Sequence, residues 1–189
     1  MKDRRDVMIL VQYPQTDCGA AIRDLERMAW DDGGQDGAFP SAPDTYDTSF
    51  VWMDGDVAVC HVGIRKTEFL HRGQRYLAYG LSEVVTRPEY RRRGLATTTI
   101  RRAARYIADR RPDLSVFTCE PDKIPLYERG GWNIAKDVCL VGGTRERPFR
   151  SDSLHLATMI RLLSPRAKAH AADFEHADIV LELGEGQLW

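Results

Sequence analysis

The stretch richest in chemistry runs from Glu83 to Thr97. Val84, Val85 and Thr86 are β-branched and favour a pleated backbone. Pro88 ends strand pairing and turns Arg87 away from helical geometry. Gly94 lets the chain reverse without a Cβ in the way. Beyond it, Ile100, Ala103, Ala104 and Ile107 recur at the spacing of an amphipathic helix. The first-turn amides of such a helix have no partner within it and sit at the positive end of its dipole. Arg91, Arg92, Arg93, Gly94, Leu95, Ala96 and Thr97 are therefore predicted to cradle a pyrophosphate. A solvated basic loop, or phosphate contacts with a nucleic acid, is the competing reading of the three arginines.

Arg91-x-x-Gly94-x-Ala96 resembles the R/Q-x-x-G-x-G/A acetyl-CoA signature of the GNAT N-acetyltransferases, and Leu126-Tyr127 to Gly131-Trp132 resembles that family's F/L-Y-x-x-x-G-W segment. The resemblance covers about Val51 to Val141 well and the rest by element order. It implies an α/β fold with a central mixed, mostly antiparallel sheet, flanked by helices and splayed between its fourth and fifth strands. It implies acetyl-CoA as cosubstrate, held by the Arg91–Thr97 cradle and by the main chain of Val84, Val85 and Thr86. It also implies Tyr127 as the acid that protonates the leaving thiolate. A phenol, with a pKa of about 10, is neutral at working pH and carries the proton required. The alternative for Tyr127 is a side chain packed under the cosubstrate with a structural hydroxyl.

An amine acceptor is mostly protonated near neutral pH, so the reaction needs a base. Glu83 lies on the right strand, but strand side chains alternate faces, and the family's carboxylate falls at the positions of Ser82 or Gly80. A bulge would return Glu83 to the site; otherwise it is a salt-bridged strand residue. The second candidate is the α-carboxylate of Trp189. The ending Gly184-Glu185-Gly186-Gln187-Leu188-Trp189 is similar to that of the aminoglycoside 2'-N-acetyltransferases, and Pro88 to Leu95 is similar to the enhanced-intracellular-survival acetyltransferases. Both branches use a C-terminal carboxylate in the active site. A tail docked elsewhere, or frayed, is the alternative.

The function expected is transfer of an acetyl group to a primary amine by direct attack. The acceptor is a small molecule or a peptide, and a cationic one such as an aminoglycoside or polyamine would suit the acidic residues Asp31, Asp32, Asp36, Asp44, Asp47, Asp178, Glu182 and Glu185. A non-catalytic acyl-CoA sensor and a protein lysine or N-terminal acetyltransferase stand as alternatives. A net charge of −1 argues against nucleic acid as partner. With no apolar run long enough for a span and a charged N-terminus, the chain is expected to be cytoplasmic and off the membrane. The widely spaced Cys18, Cys60, Cys119 and Cys139 are expected as reduced core thiols, and His61, His71, His155, His170 and His176 show no metal-ligand spacing. Dimers are common in the family, and the segment after Ile160 is a candidate for pairing.

The elements that must position these groups follow from pattern. One domain over residues 1–189 is expected. Val7 to Val11 reads as a strand. A helix capped by Thr16 or Asp17 runs to about Trp30 with Ala21, Leu25, Met28 and Ala29 on one face. Ser49 to Met53 and Val57 to Ile64 form a hairpin about Asp54-Gly55-Asp56, and Arg72-Gly73 turns into a strand from Tyr76 to Thr86. Then follow the Gly94–Arg110 helix, a strand at Leu114–Thr118, a short helix at Pro121–Arg129, strands at Trp132–Val141 and Leu154–Ile160, and a helical segment from Ser164 to Phe174. The family's additional early helix is sought between Asp31 and Asp47.

Overall fold

The computed structural model describes residues 8–30 and 39–189. Val7 and the acidic residues Asp31, Asp32 and Asp36 lie outside the described residues. In chain order the strands are β1 (Ile9–Tyr13), β2 (Tyr46–Asp54), β3 (Val57–His71), β4 (Gln74–Thr86), β5 (Leu114–Cys119), β6 (Asn133–Ile134), β7 (Cys139–Gly143), β8 (Pro148–Arg150), β9 (Ala157–Leu162) and β10 (Asp178–Val180). The helices are α1 (Gly19–Ala29), α2 (Leu95–Asp109), α3 (Ile124–Glu128) and α4 (Pro165–Ala169).

A seven-stranded sheet has the order β1-β2-β3-β4-β5-β9-β6, and a three-stranded sheet the order β10-β7-β8. Every neighbour in the large sheet is antiparallel except β4 and β5. Strand alternation sends adjacent residues to opposite faces. Phe50 packs with α2 through Ile100, Ala103 and Ile107, while Val51 packs with Ile22 and Leu25 of α1. The two helices therefore cover opposite faces of one sheet.

Several boundaries differ from the sequence expectation. Cys18, not Thr16 or Asp17, precedes α1, and no side chain caps it. The buried face of α1 is Gly19, Ile22, Leu25 and Glu26, whereas Met28 is exposed. β3 continues past Ile64 to His71, because the turn is made by Arg72 and Gly73, both at positive φ. The strand expected over Trp132–Val141 is two strands in two sheets: a turn with Asp137 at φ 51° carries the chain from β6 to β7. Residues 39–45 form only bends and turns, so the additional early helix is not found among the described residues. The segment after Ile160 pairs within the chain, through β9 on β5 and β10 on β7.

Candidate functional site

The loop between β4 and α2 is built to leave its amides free. A 3-10 turn over Pro88–Tyr90 is followed by Arg92 at φ 61° and Gly94 at φ 77°. The first backbone bond of α2 is Thr98 N–H to the Gly94 carbonyl, at 3.0 Å. The amides of Arg92 to Thr97 donate to no carbonyl among the described residues. A cavity of about 210 Å³ opens there, lined by Arg91, Arg92, Gly94, Leu95, Ala96 and Thr97. Arg91 is tied back by Nε to the Thr86 carbonyl at 3.2 Å. Arg93 turns aside: its guanidinium lies over the Tyr90 ring at 4.9 Å, and Tyr90 in turn donates to Asp54 at 2.5 Å, pinning the loop to the β2–β3 hairpin.

That cavity adjoins a cleft of about 950 Å³ running between β4 and β5. The two strands pair only at Ala78–Leu114 and Tyr79–Ser115. Beyond that point they part, so Val84, Val85 and Thr86 present backbone on the β5 side that no strand covers, and all three line the cleft. Glu83, Tyr127 and Trp189 line it as well. The residues singled out from sequence are thus brought together, with Arg93 directed elsewhere.

Glu83 reaches the cleft through a bulge. The register of β3 on β4 slips between His61–Val85 and Gly63–Ser82, and Glu83 sits in the slip at φ 50°. The extra residue reverses side-chain parity, as the sequence required. Its carboxylate is paired with Arg65, whose guanidinium is almost wholly buried, and Oε2 accepts from Ser82 Oγ at 2.9 Å. Arg65 also donates Nε to Ser82 Oγ at 2.9 Å and Nη1 to the Ala42 carbonyl at 3.2 Å. His61 holds the bulge from behind, with Nδ1 2.8 Å from the Glu83 carbonyl and Nε2 3.3 Å from the Tyr46 hydroxyl. Burial pushes the His61 pKa down, so it is a neutral hydrogen-bonding ring here. Glu26 of α1 faces the same cluster. Its carboxyl is pushed up to about 7, first by burial and then by the charge of Glu83.

Trp189 and Tyr127 approach the cleft from opposite faces of the sheet. Thr118 donates both its amide, at 2.7 Å, and its hydroxyl to the terminal oxygen of Trp189. The neighbouring Phe117 points the other way and meets the Tyr127 ring edge-on at 4.8 Å. Tyr127 is buried, and its hydroxyl has no hydrogen-bond partner among the described residues. Burial, with Cys119 and Glu120 nearby, holds its phenol well above the usual range, so it stays protonated. The Cys119 thiol is pushed up to about 11 by burial, Asp122 and Glu120. All four cysteines are free and buried, and no cluster suited to a metal ion occurs among the described residues.

An amide cradle at a helix start, continuous with a parted pair of parallel strands, is the layout the two sequence signatures implied. The family profile "Acetyltransferase (GNAT) domain" matches residues 22–135, more than half of the chain. The chain belongs to the GNAT acetyltransferase family. As such it is an acyltransferase. Among solved structures, the GNAT N-acetyltransferase YhbS of Escherichia coli, in complex with CoA, is similar at a TM-score of 0.62 and 14% identity, over 100% of this chain and 98% of that one. A GNAT acetyltransferase of Brucella melitensis in complex with acetyl-CoA is similar at a TM-score of 0.56 and 15% identity, over 85% and 90%. A probable N-acyltransferase of Enterococcus faecalis V583 is similar at a TM-score of 0.53 and 18% identity, over 68% of this chain, which spans only 33% of that protein. Identities this low speak for the fold. Sequence comparison with curated proteins gives no significant match.

Other residues of this GNAT site were not anticipated. Arg65 had one signal, the first of two adjacent cations, Arg65 and Lys66, that end the run Val57–Ile64. Thr118 and Glu26 had none, because their roles depend on register and on helix packing, and Ser82 stood out only as a position where the family's carboxylate falls. Four of the acidic residues expected to draw a cationic acceptor are committed elsewhere. Asp47 pairs with Lys66 at 2.6 Å, Asp178 with Arg150 at 2.6 Å and Glu182 with Arg145 at 2.5 Å, while Glu185 pairs with Arg147. None of the four lines the cleft.

Proposed function

We propose that this GNAT domain, spanning residues 1–189, is an acetyl-CoA-dependent N-acetyltransferase that moves an acetyl group to a primary amine by direct attack. The observation that carries the reading is the continuous groove from the free amides of Arg92–Thr97 to the unpaired backbone of Val84–Thr86, with a phenol on one face and carboxylates on the other. The cradle amides and Arg91 bind the diphosphate. The exposed strand backbone takes the pantetheine amides as an added half-strand, and a main-chain amide there stabilises the oxyanion as charge builds.

Glu83 and the Trp189 carboxylate hold the acceptor's ammonium on the α1 face. The amine loses a proton there, its nitrogen bonds to the thioester carbon, and the tetrahedral intermediate expels sulfur. Tyr127 donates a hydrogen bond to the departing sulfur and delivers its proton, to be reloaded from solvent. Both oxygens of Glu83 already accept hydrogen bonds, so Glu83 serves chiefly as an anchor and the Trp189 carboxylate takes the proton. Cys119 also lines the cleft, but a thiol whose pKa is about 11 offers no thiolate near neutral pH, which supports direct attack over an acyl-cysteine intermediate.

The acceptors to test first are aminoglycosides and polyamines, because the acceptor-side groups are carboxylates and because the ending resembles that of the aminoglycoside 2'-N-acetyltransferases. Calorimetric titration with acetyl-CoA, followed by a CoA-release screen over aminoglycosides, polyamines, lysine peptides and N-terminal peptides, tests the reading. No heat with acetyl-CoA or CoA overturns it. Tight CoA binding with no turnover on any amine would assign the fold to a sensing role instead.

A further inference from the structure

The parted strands do not stay open along their length. Cleft-lining residues on β4 run from Leu81 to Thr86, and on β5 from Phe117 to Cys119. The next residue inward on β4, Gly80, is covered by the indole of Trp189. A Cβ built on Gly80 would lie 2.5 Å from Trp189 Cε3 and 2.7 Å from the Val116 carbonyl oxygen, so only glycine at this position admits the ring. Trp189 is 5% exposed. It is fixed from behind by the two Thr118 hydrogen bonds, and by Gly143 N–H donating to the Gln187 carbonyl at 2.9 Å.

Diphosphate bound at Arg92–Thr97 fixes the direction of the arm. It enters at Thr86 and runs back along β4, and from Thr86 to Gly80 is about 20 Å at strand rise. The acyl end is the part that points at the indole. We propose that the Trp189 side chain is the floor of the acyl pocket and restricts the enzyme to short acyl thioesters. The inference rests on the acetyl-CoA reading above and adds a substrate class to it. It concerns the indole, and so is separable from the role given to the same residue's carboxylate. With the ring removed, the space it fills over Gly80 becomes a continuation of the slot.

The test compares the wild-type protein with Trp189→Ala and Trp189→Phe, each titrated calorimetrically with CoA, acetyl-CoA, butanoyl-CoA and hexanoyl-CoA. The wild type is expected to bind hexanoyl-CoA at least about tenfold more weakly than acetyl-CoA, the scale on which an apolar pocket discriminates by chain length. Trp189→Ala is expected to remove that difference while binding CoA itself within about twofold of wild type. Trp189→Phe should fall between, and it carries the test should the alanine variant not fold. Equal wild-type affinity for the two thioesters, or an unchanged ratio in the variants, overturns the proposal while leaving the acetyltransferase reading in place. Failure of the wild type to bind CoA or acetyl-CoA overturns both.

Discussion

Replacing Glu26 by Gln should change the pH dependence of stability in a calculable way. Glu26 is 6% exposed, on the face of α1 that packs onto the sheet. Its Oε2 is 3.5 Å from Arg23 Nη1, and its Oε1 has no hydrogen-bond partner among the described residues. Burial and the facing Glu83 raise its pKa from 4.5 to about 7, against the pull of Arg23 and Arg65. The folded protein therefore holds a proton that the unfolded chain releases between those values. Stability contributed by this group is full below about pH 4.5 and is lost as pH rises through 7. A gap of that size, at 1.36 kcal/mol per pH unit, amounts to about 3 kcal/mol, of which roughly 2.5 kcal/mol falls between pH 5 and 8. Gln cannot ionise. Relative to wild type, Glu26→Gln should gain about 2 to 3 kcal/mol in unfolding free energy on going from pH 5 to pH 8. Urea denaturation of both proteins at the two pH values measures it. Taking the difference matters, because the buried neutral His61 contributes the opposite slope, losing stability as pH falls below 6.5, and this cancels between the two proteins. A wild-type-minus-variant difference that stays constant from pH 5 to 8 would refute the assignment of a raised, buried carboxyl to Glu26.

Tyr127→Phe should lower kcat about 100-fold or more with CoA affinity nearly unchanged, as expected for a lost proton donor; steady-state kinetics showing normal turnover would return Tyr127 to a packing role. Residues appended after Trp189 remove its carboxylate from the grip of Thr118, so a C-terminally tagged protein should lose acceptor kcat/KM while still binding CoA, and normal acceptor kinetics would exclude that carboxylate. Arg65→Met strands the Glu83 carboxylate in a largely buried setting and should cost about 3–5 kcal/mol, read as a fall in thermal midpoint. Adding Glu83→Gln to that variant should recover part of the loss, because the charge left without a partner is then gone.

The parts of the molecule legible in the sequence are those whose chemistry is local. The cradle is a proline, a glycine and a helix pattern in one stretch, so composition and spacing sufficed to place it. The Asp54-Gly55-Asp56 turn and the strands beside it followed for the same reason. Trp132–Val141 misled, because its apolar content suits a strand equally well in one sheet or in two, and only the reversal at Asp137 decides. The acidic residues misled more instructively. Asp47, Asp178, Glu182 and Glu185 read as a field for a cationic acceptor, yet each meets a cation of its own across the fold. A charge count in sequence does not reveal which charges are already neutralised. Arg65 and Ser82, which hold the Glu83 carboxylate, are identified only by register across β3 and β4.

Glu83 shows why register carries so much here. On a regular β4 its side chain would share a face with Leu81, whose side chain packs in the α2-side core, and would not meet Arg65. One inserted residue turns it to the α1 face, and four groups fix it there: Arg65 and Ser82 on the carboxylate, His61 on the carbonyl, and Tyr46 on His61. The bulge lies four residues beyond Tyr79, the last β4 residue paired with β5, within the stretch that lines the open cleft. In the proposed mechanism this single irregularity sets the direction of the Glu83 anchor. Substitutions that regularise the strand should accordingly damage acceptor binding and, by shifting the backbone of Val84 to Thr86, CoA binding as well, whereas a C-terminal extension should affect the acceptor alone.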